Sequence, residues 1–364
     1  MADKGDGVPD PPVHRRRLRW RWPYLSLIAG VLVVAIVFAG WLRTGAGAHP
    51  HGAGAEATPP SPAPDDQHLA SAPGSRTPVP ASLSPSRTPS RTPAPHPAGP
   101  TRHYIANLDG HRAAVAALGY NLFDTGSDPG SVDALDDGQR ALVWMGSLDN
   151  ADCATPGYSW AQFTAAVDAL AGNPKVFGYF LADEPHPKDC PTAVADIRQR
   201  ADYIHTHDPS HVSFIVVLDG SNQCGGGYGC EFTALRPAQT HVDLIGLDPY
   251  PCNVDNAAQA CAYKKIDDAV HRAVASGIPI SAVVPVFQAF GQACRTGSAP
   301  YYRLPSAAEL RTMLAHWAAL VPRPVFDYTY TWGRQGSACP TLSDADGSNG
   351  QPDLQSVLRE HNAR

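Results

Sequence analysis

Val212-Ser213-Phe214-Ile215-Val216-Val217-Leu218 is an almost unbroken apolar run, rich in β-branched and aromatic residues. A strand with one wet face alternates apolar and polar side chains. A continuous run reads instead as a strand buried on both faces, as in a parallel sheet covered by helices. Helical patterns flank it, at 191–206 before and near 231–238 after. The alternation continues in both directions. Upstream, strands are expected at 103–107, 120–124, 140–145 and 176–182, with helices ending at Leu118, near Val132 and over 159–171. Downstream, strands are expected at 242–247, 280–286 and 325–330, with helices over 256–276, 306–320 and 351–361. Eight strand–helix units within 102–364 point to an α/β fold of the (β/α)8 (TIM) barrel type, which typically needs ~250 residues. The competing doubly wound sheet carries a glycine fingerprint after its first strand. None is present there, and Gly225-Gly226-Gly227 falls in a late loop between two cysteines.

The rest of the 364-residue chain is of a different character. Tyr24 to Leu42 is a run of 19 residues without a charge, close to the ~20 that cross a bilayer as a helix. Arg15, Arg16, Arg17, Arg19 and Arg21 precede it, which places the N-terminus on the cytoplasmic side. The run is longer than a usual signal-peptide core, so a retained anchor is favoured over a cleaved signal; either one exports the C-terminal remainder of the chain. Residues 43–101 are dominated by Pro, Ala, Ser, Thr and Gly, with the repeat Ser86-Arg87-Thr88-Pro89 and Ser90-Arg91-Thr92-Pro93. Such a segment has too little apolar surface to offset ordering entropy and reads as a disordered, extended stalk. The expected organisation is a basic cytoplasmic tail (1–23), a transmembrane anchor (24–42), the stalk (43–101) and an extracellular barrel (102–364) on a cell membrane.

Charge narrows the partners. Residues 104–364 hold 17 Lys and Arg against 28 Asp and Glu, a net of −11. Nucleic-acid binding needs clustered cations and is not expected; neutral or cationic ligands suit this surface. All eight cysteines lie in the barrel segment, each after a strand, on the face where barrel active sites form. An even number in an exported domain argues for disulfides. Neighbouring loops suggest Cys153–Cys190, Cys224–Cys230, Cys252–Cys261 and Cys294–Cys339. No cofactor or metal ligand set is expected. His205, His207 and His211 straddle a turn at Asp208-Pro209-Ser210 and read as structural, and Asp344-Ala345-Asp346-Gly347 fails the EF-hand spacing.

The chemistry is expected at strand ends. Gly178-Tyr179-Phe180-Leu181-Ala182-Asp183-Glu184-Pro185 closes an apolar fourth strand with two adjacent carboxylates. A carboxyl at an apolar rim is partly desolvated, which raises its pKa and suits a general acid. Asp183-Glu184-Pro185 resembles the fourth-strand Asn-Glu-Pro motif of the large retaining clan of (β/α)8 glycoside hydrolases. The resemblance implies that Glu184 is the acid/base and that Asp183 occupies the Asn position. Adjacent Asp-Glu also resembles the pair in β-hexosaminidases, where the substrate's acetamido group replaces a protein nucleophile. The clan's nucleophilic Glu ends strand seven, where this chain has Gln288. A second carboxylate is then expected from Asp248, favoured, or from Asp219 or Asp124. Trp144, Tyr250, Tyr328 and Trp332, with Gln288, Asp124 and Asp219, are candidate carbohydrate-binding residues. The alternative is a carbohydrate- or wall-binding barrel without hydrolysis.

Overall fold

The computed structural model describes residues 99–108, 110–145, 158–218, 230–256, 258–294, 299–343 and 350–364. The expected tail, the anchor and nearly all of the stalk lie outside these residues, as do Asp219, Cys153 and Cys224. Among the described residues no helix is long and apolar enough to cross a membrane.

Eight strands form a closed parallel barrel in sequence order: β1 (Arg102–Ile105), β2 (Leu122–Thr125), β3 (Arg140–Trp144), β4 (Val176–Asp183), β5 (Val212–Val217), β6 (Leu244–Leu247), β7 (Val283–Gln288) and β8 (Phe326–Tyr330). β1 closes the ring by pairing with β8, with Tyr104 opposite Tyr328. The helices described between and after them are α1 (Arg112–Ala116), α2 (Pro129–Asp133), α3 (Trp160–Leu170), α4 (Ala193–His207), α5 (Cys230–Leu235), α6 (Pro237–Thr240), α7 (Lys264–Ala275), α8 (Ala307–Leu320) and α9 (Pro352–Asn362). Every expected strand is present, with ends shifted by three residues or fewer. The largest strand shift is β7, where Pro279 leads into a 3-10 turn over Ile280–Ala282 before the strand begins. The helix expected from 256 begins only at Lys264, because the Cys252–Cys261 disulfide holds the preceding chain in a loop.

Strand alternation sorts the side chains into two layers. Tyr104, Leu122, Leu142, Phe180, Phe214, Leu244, Val286 and Tyr328 pack inside the barrel. Ile105, Phe123, Val143, Tyr179, Ile215, Ile245 and Phe287 face outward and meet the helices through Phe163, Ile197, Leu310 and Trp317. Gly178 lets β4 and β5 approach: a Cβ there would sit 2.4 Å from the carbonyl oxygen of Val212. Any side chain at 178 would force the strand bearing the acidic pair away from its neighbour.

At the opposite end from the acidic pair, Asp327 of β8 fastens α9 to the barrel. Nδ1 of His103 lies 3.0 Å from both Asp327 carboxylate oxygens, and Nε2 of His361 lies 2.8 Å from Oδ2. Burial works against the Asp327 charge, but hydrogen bonds from His103 and His361 outweigh it and hold the carboxyl below its ordinary range. The stability this contributes is present above the unfolded carboxylate value of ~3.9 and is lost as pH falls through the depressed folded value. Asp327→Asn is therefore expected to cost about 3 kcal/mol at neutral pH. Denaturant melts at falling pH check it: the variant's deficit shrinks in acid.

Candidate active site

The loops after β6, β7 and β8 are stitched into one wall of the barrel mouth. Gln288 ends β7 and is fully buried. Its Oε1 accepts from the Cys252 N–H at 2.8 Å, and its Nε2 donates to the carbonyls of Cys252 (2.8 Å), Arg303 (3.0 Å) and Phe290 (3.3 Å). Beyond it, the loop after β7 runs back beside the β6 loop, with Tyr302 antiparallel to Asn253. Gly291 permits the fold-back, since a Cβ there would lie 2.7 Å from the Leu304 nitrogen. Arg303 anchors the far end on Glu309 at 2.6 Å. That guanidinium hydrogen bond, backed by the Ser306 cap, holds the Glu309 carboxyl down to about 2. Cys294–Cys339 ties the β7 loop to the β8 loop, while Cys252–Cys261 closes the β6 loop. Cys190 and Cys230 are also disulfide-bonded.

The wall frames a cavity of about 330 Å3, lined by Asp183, Glu184, Tyr250, Phe290, Tyr302, Tyr328 and Tyr330, with Gln292, Gln335 and Ser337 at its polar side. A volume of this size is at the lower end for small-molecule sites. Tyr250 and Tyr330 lie nearly parallel, their ring centroids 6.2 Å apart, and Phe290 stands edge-on to both at 4.9 and 5.1 Å. Glu184 comes directly after β4. Its N–H donates to the Val216 carbonyl at 3.0 Å, and its φ is +47°. Left-handed backbone costs a non-glycine residue about 1–2 kcal/mol, and the residue before a proline is normally extended. Such strain persists where surrounding structure enforces it, and it concentrates at functional sites. Here it turns the carboxylate after the strand into the cavity wall beside Asp183.

Asp248, just past β6, is 2 % exposed and hydrogen-bonded to Glu184. Burial first, then the charge of Glu184, the hydrogen bond to it and the charge of Asp183 raise the Asp248 carboxyl well above its ordinary value. Asp248 is therefore a carboxyl that resists losing its proton. Burial, reinforced by the nearby carboxylates, also raises Tyr302 and Tyr330 and keeps both phenols neutral.

Several expected site residues fall elsewhere. Gln288 does not face the cavity; its amide is consumed by the loop backbone. Trp332 is 2 % exposed and packs in the outer layer between barrel and helices, because the chain has turned out of the strand direction after Tyr330. Tyr330 takes the place expected for it. Trp144 is 36 % exposed at the end of β3, edge-on to Phe180 at 4.7 Å, beside the cavity lining rather than in it. Asp124, at the end of β2, is half-buried and acts on Tyr104 and Tyr328 through its charge. Tyr250 and Tyr328 line the cavity, and Asp248 sits beside Glu184. Phe290, Gln292, Tyr302 and Gln335 were not expected. They come from loops, where no periodicity announces a direction; Tyr302 had only its aromatic type in a loop after a strand as a signal.

Gln288 also shows why strand seven carries no carboxylate. Its Nε2 faces three carbonyl oxygens, and Gln288→Glu would set oxygen against oxygen. The variant is expected to lose about 1–3 kcal/mol of stability. Thermal melts check it; an unchanged melting temperature would contradict the hydrogen-bonding role. Among the described residues one group brings three ligand-type atoms within 4.8 Å of one another: His103, Asp327 and His361. It lies at the other end of the barrel, and its contacts are the hydrogen bonds that fasten α9.

Fold and site together define a TIM barrel whose mouth carries a carboxyl pair in a tyrosine-lined cleft. No family model matches the sequence, and no curated protein sequence matches it. Solved structures with a similar course of the chain include a chitinase from Chromobacterium violaceum, at 14 % identity over 73 % of this chain and 100 % of that one, with a TM-score of 0.49. A GH128 endo-β-1,3-glucanase from Amycolatopsis mediterranei, in complex with laminaritriose, is similar at 17 % identity over 72 % and 98 %, with a TM-score of 0.47. A β-glucuronidase from Ruminococcus gnavus is similar at 12 % identity over 72 % and 49 %, with a TM-score of 0.49.

Proposed function

We propose that the barrel is a glycoside hydrolase whose proton donor is Glu184. The observation that carries this reading is the left-handed backbone at Glu184, which aims a carboxyl into the cavity beside Asp248, whose burial raises its carboxyl well above the ordinary value. A glycosidic bond is broken by protonating the leaving oxygen as positive charge grows at the anomeric carbon. In this reading the proton shared by Asp248 and Glu184 is delivered through Glu184. The C1–O bond breaks with its electron pair on the departing oxygen, water bonds to C1, and the water's proton passes to the Asp183 carboxylate. Proton return from Asp183 to the pair completes the cycle. In this reading Asp248 holds the proton beside Glu184, and Asp183 takes the water's proton. The aromatic lining stacks on sugar C–H faces.

Gln288 favours a second reading, a carbohydrate-binding barrel that no longer hydrolyses, since no carboxylate ends strand seven. Turnover of a glycan panel, lost in Glu184→Gln, separates the two; binding without turnover in the wild type supports the second. Placement outside a cell membrane, on a stalk held by the 24–42 segment, is part of the same proposal. The apolar run and the disulfides support it, because disulfides persist in oxidising compartments. Labelling of intact cells with a barrel-specific probe tests it.

A further inference from the structure

We propose that His103, Asp327 and His361 form a zinc-binding site at the end of the barrel opposite the acidic cavity. Parallel register sets His103 directly across from Asp327 on neighbouring strands. Tyr104 and Tyr328 pack inside the barrel, so alternation turns His103 and Asp327 outward, toward the helices. The last turn of α9 then brings His361 over the same carboxylate. Nδ1 of His103, an oxygen of Asp327 and Nε2 of His361 all lie within 4.8 Å of one another. The nitrogen-to-oxygen distances are 3.0 and 2.8 Å. Ligand atoms on a tetrahedron with metal bonds of ~2.0–2.1 Å stand ~3.3 Å apart, so side-chain rotations of a few tenths of an ångström admit the ion.

The donor set selects the metal. Calcium and magnesium prefer oxygen ligands alone, whereas two imidazoles with one carboxylate suit zinc and leave its fourth position to water. Zinc takes the place of the hydrogens that bridge the two imidazole–carboxylate contacts, because a ligating nitrogen must present its lone pair. The side chains of His103 and Asp327 are 9 % and 3 % exposed, which shields the ion from competing water. The His361 side chain, at 19 %, leaves an entry path. The C-terminal end of α9 carries partial negative charge, which favours a cation there. An ion at this point joins β1 and β8, the strands that close the barrel, to α9. It serves stability, apart from any chemistry at the mouth.

The test uses the full chain without a histidine tag, stripped by a chelator, with Zn2+ as the probe and Mg2+ as the control. Calorimetry reads affinity and thermal melts read stabilisation. Zinc is expected to raise Tm by about 5–10 °C once the free ion exceeds Kd about a hundredfold, and Mg2+ to leave it unchanged. His103→Gln and His361→Gln keep a hydrogen-bond donor for Asp327 but lose the imidazole nitrogen. Each is expected to bind zinc at least about 100-fold more weakly and to lose the rise in Tm. A wild-type Tm that ignores zinc overturns the site. An equal rise in both variants also overturns it, by placing the ion elsewhere. If neither variant folds, Co2+ in the wild type decides: the intense visible bands of tetrahedral cobalt support the site, and the weak bands of octahedral cobalt overturn it.

Discussion

Glu184→Gln is expected to lower turnover about 10²–10⁴-fold, the range for loss of a general acid, while glycan affinity stays near that of the wild type. Gln is nearly isosteric and keeps a hydrogen-bonding oxygen, so the cavity wall persists. What disappears is the proton that the leaving oxygen needs. Because the effect falls on the transition state, it shows in kcat rather than in KM. A substrate whose leaving group needs no protonation, such as a glycosyl fluoride, should recover most of the loss. Equal rates for both enzymes on ordinary glycans would remove Glu184 from the mechanism.

Asp248→Asn is expected to separate activity from stability. Turnover falls by about 10²-fold or more, since the amide cannot hold and return the shared proton. Stability rises instead. The folded Asp248 carboxyl has a pKa raised above the ordinary unfolded ~3.9, so its favourable contribution exists below that value and is lost as pH climbs through the folded one. Asn carries no such penalty. Its advantage over the wild type is therefore absent in acid and grows toward neutral and alkaline pH, to about 2–4 °C in Tm for each kcal/mol recovered. Melting curves at acid and mildly alkaline pH check the sign; a shift of the same size at both would show that the buried acid is not what limits stability. Such a trade between activity and stability is common where a site retains a group the fold would rather exclude.

The carboxyl pair also explains what the sequence displayed and what it withheld. Glu184 was conspicuous because two charges in succession end an apolar strand, and strand ends are where a barrel exposes side chains. Asp248 was visible as an acid after β6, but its separation from Glu184 was not. Residues 64 positions apart meet only because β4 and β6 curve around the same axis. Gln288 and Trp332 were misjudged for one reason: position at a strand end says nothing of which way the next peptide turns. At Gln288 the returning loop supplies carbonyls that capture the amide, and after Tyr330 the chain leaves the barrel axis and carries Trp332 into the outer layer.

Alternation of apolar runs with helical periods determined the barrel by itself. Each run must be buried on both faces, and eight such runs joined by helices close most economically on themselves. The cysteine count and the acidic balance likewise set the chemistry of the loops and the net charge of the barrel segment independently of any tertiary contact. Only the tertiary structure decided the site. The left-handed turn at Glu184, the loop folded back over β7 and the approach of Asp248 to Glu184 all depend on contacts between segments far apart in sequence. Local pattern carries no information about such contacts, because the forces that set them act across space and not along the chain.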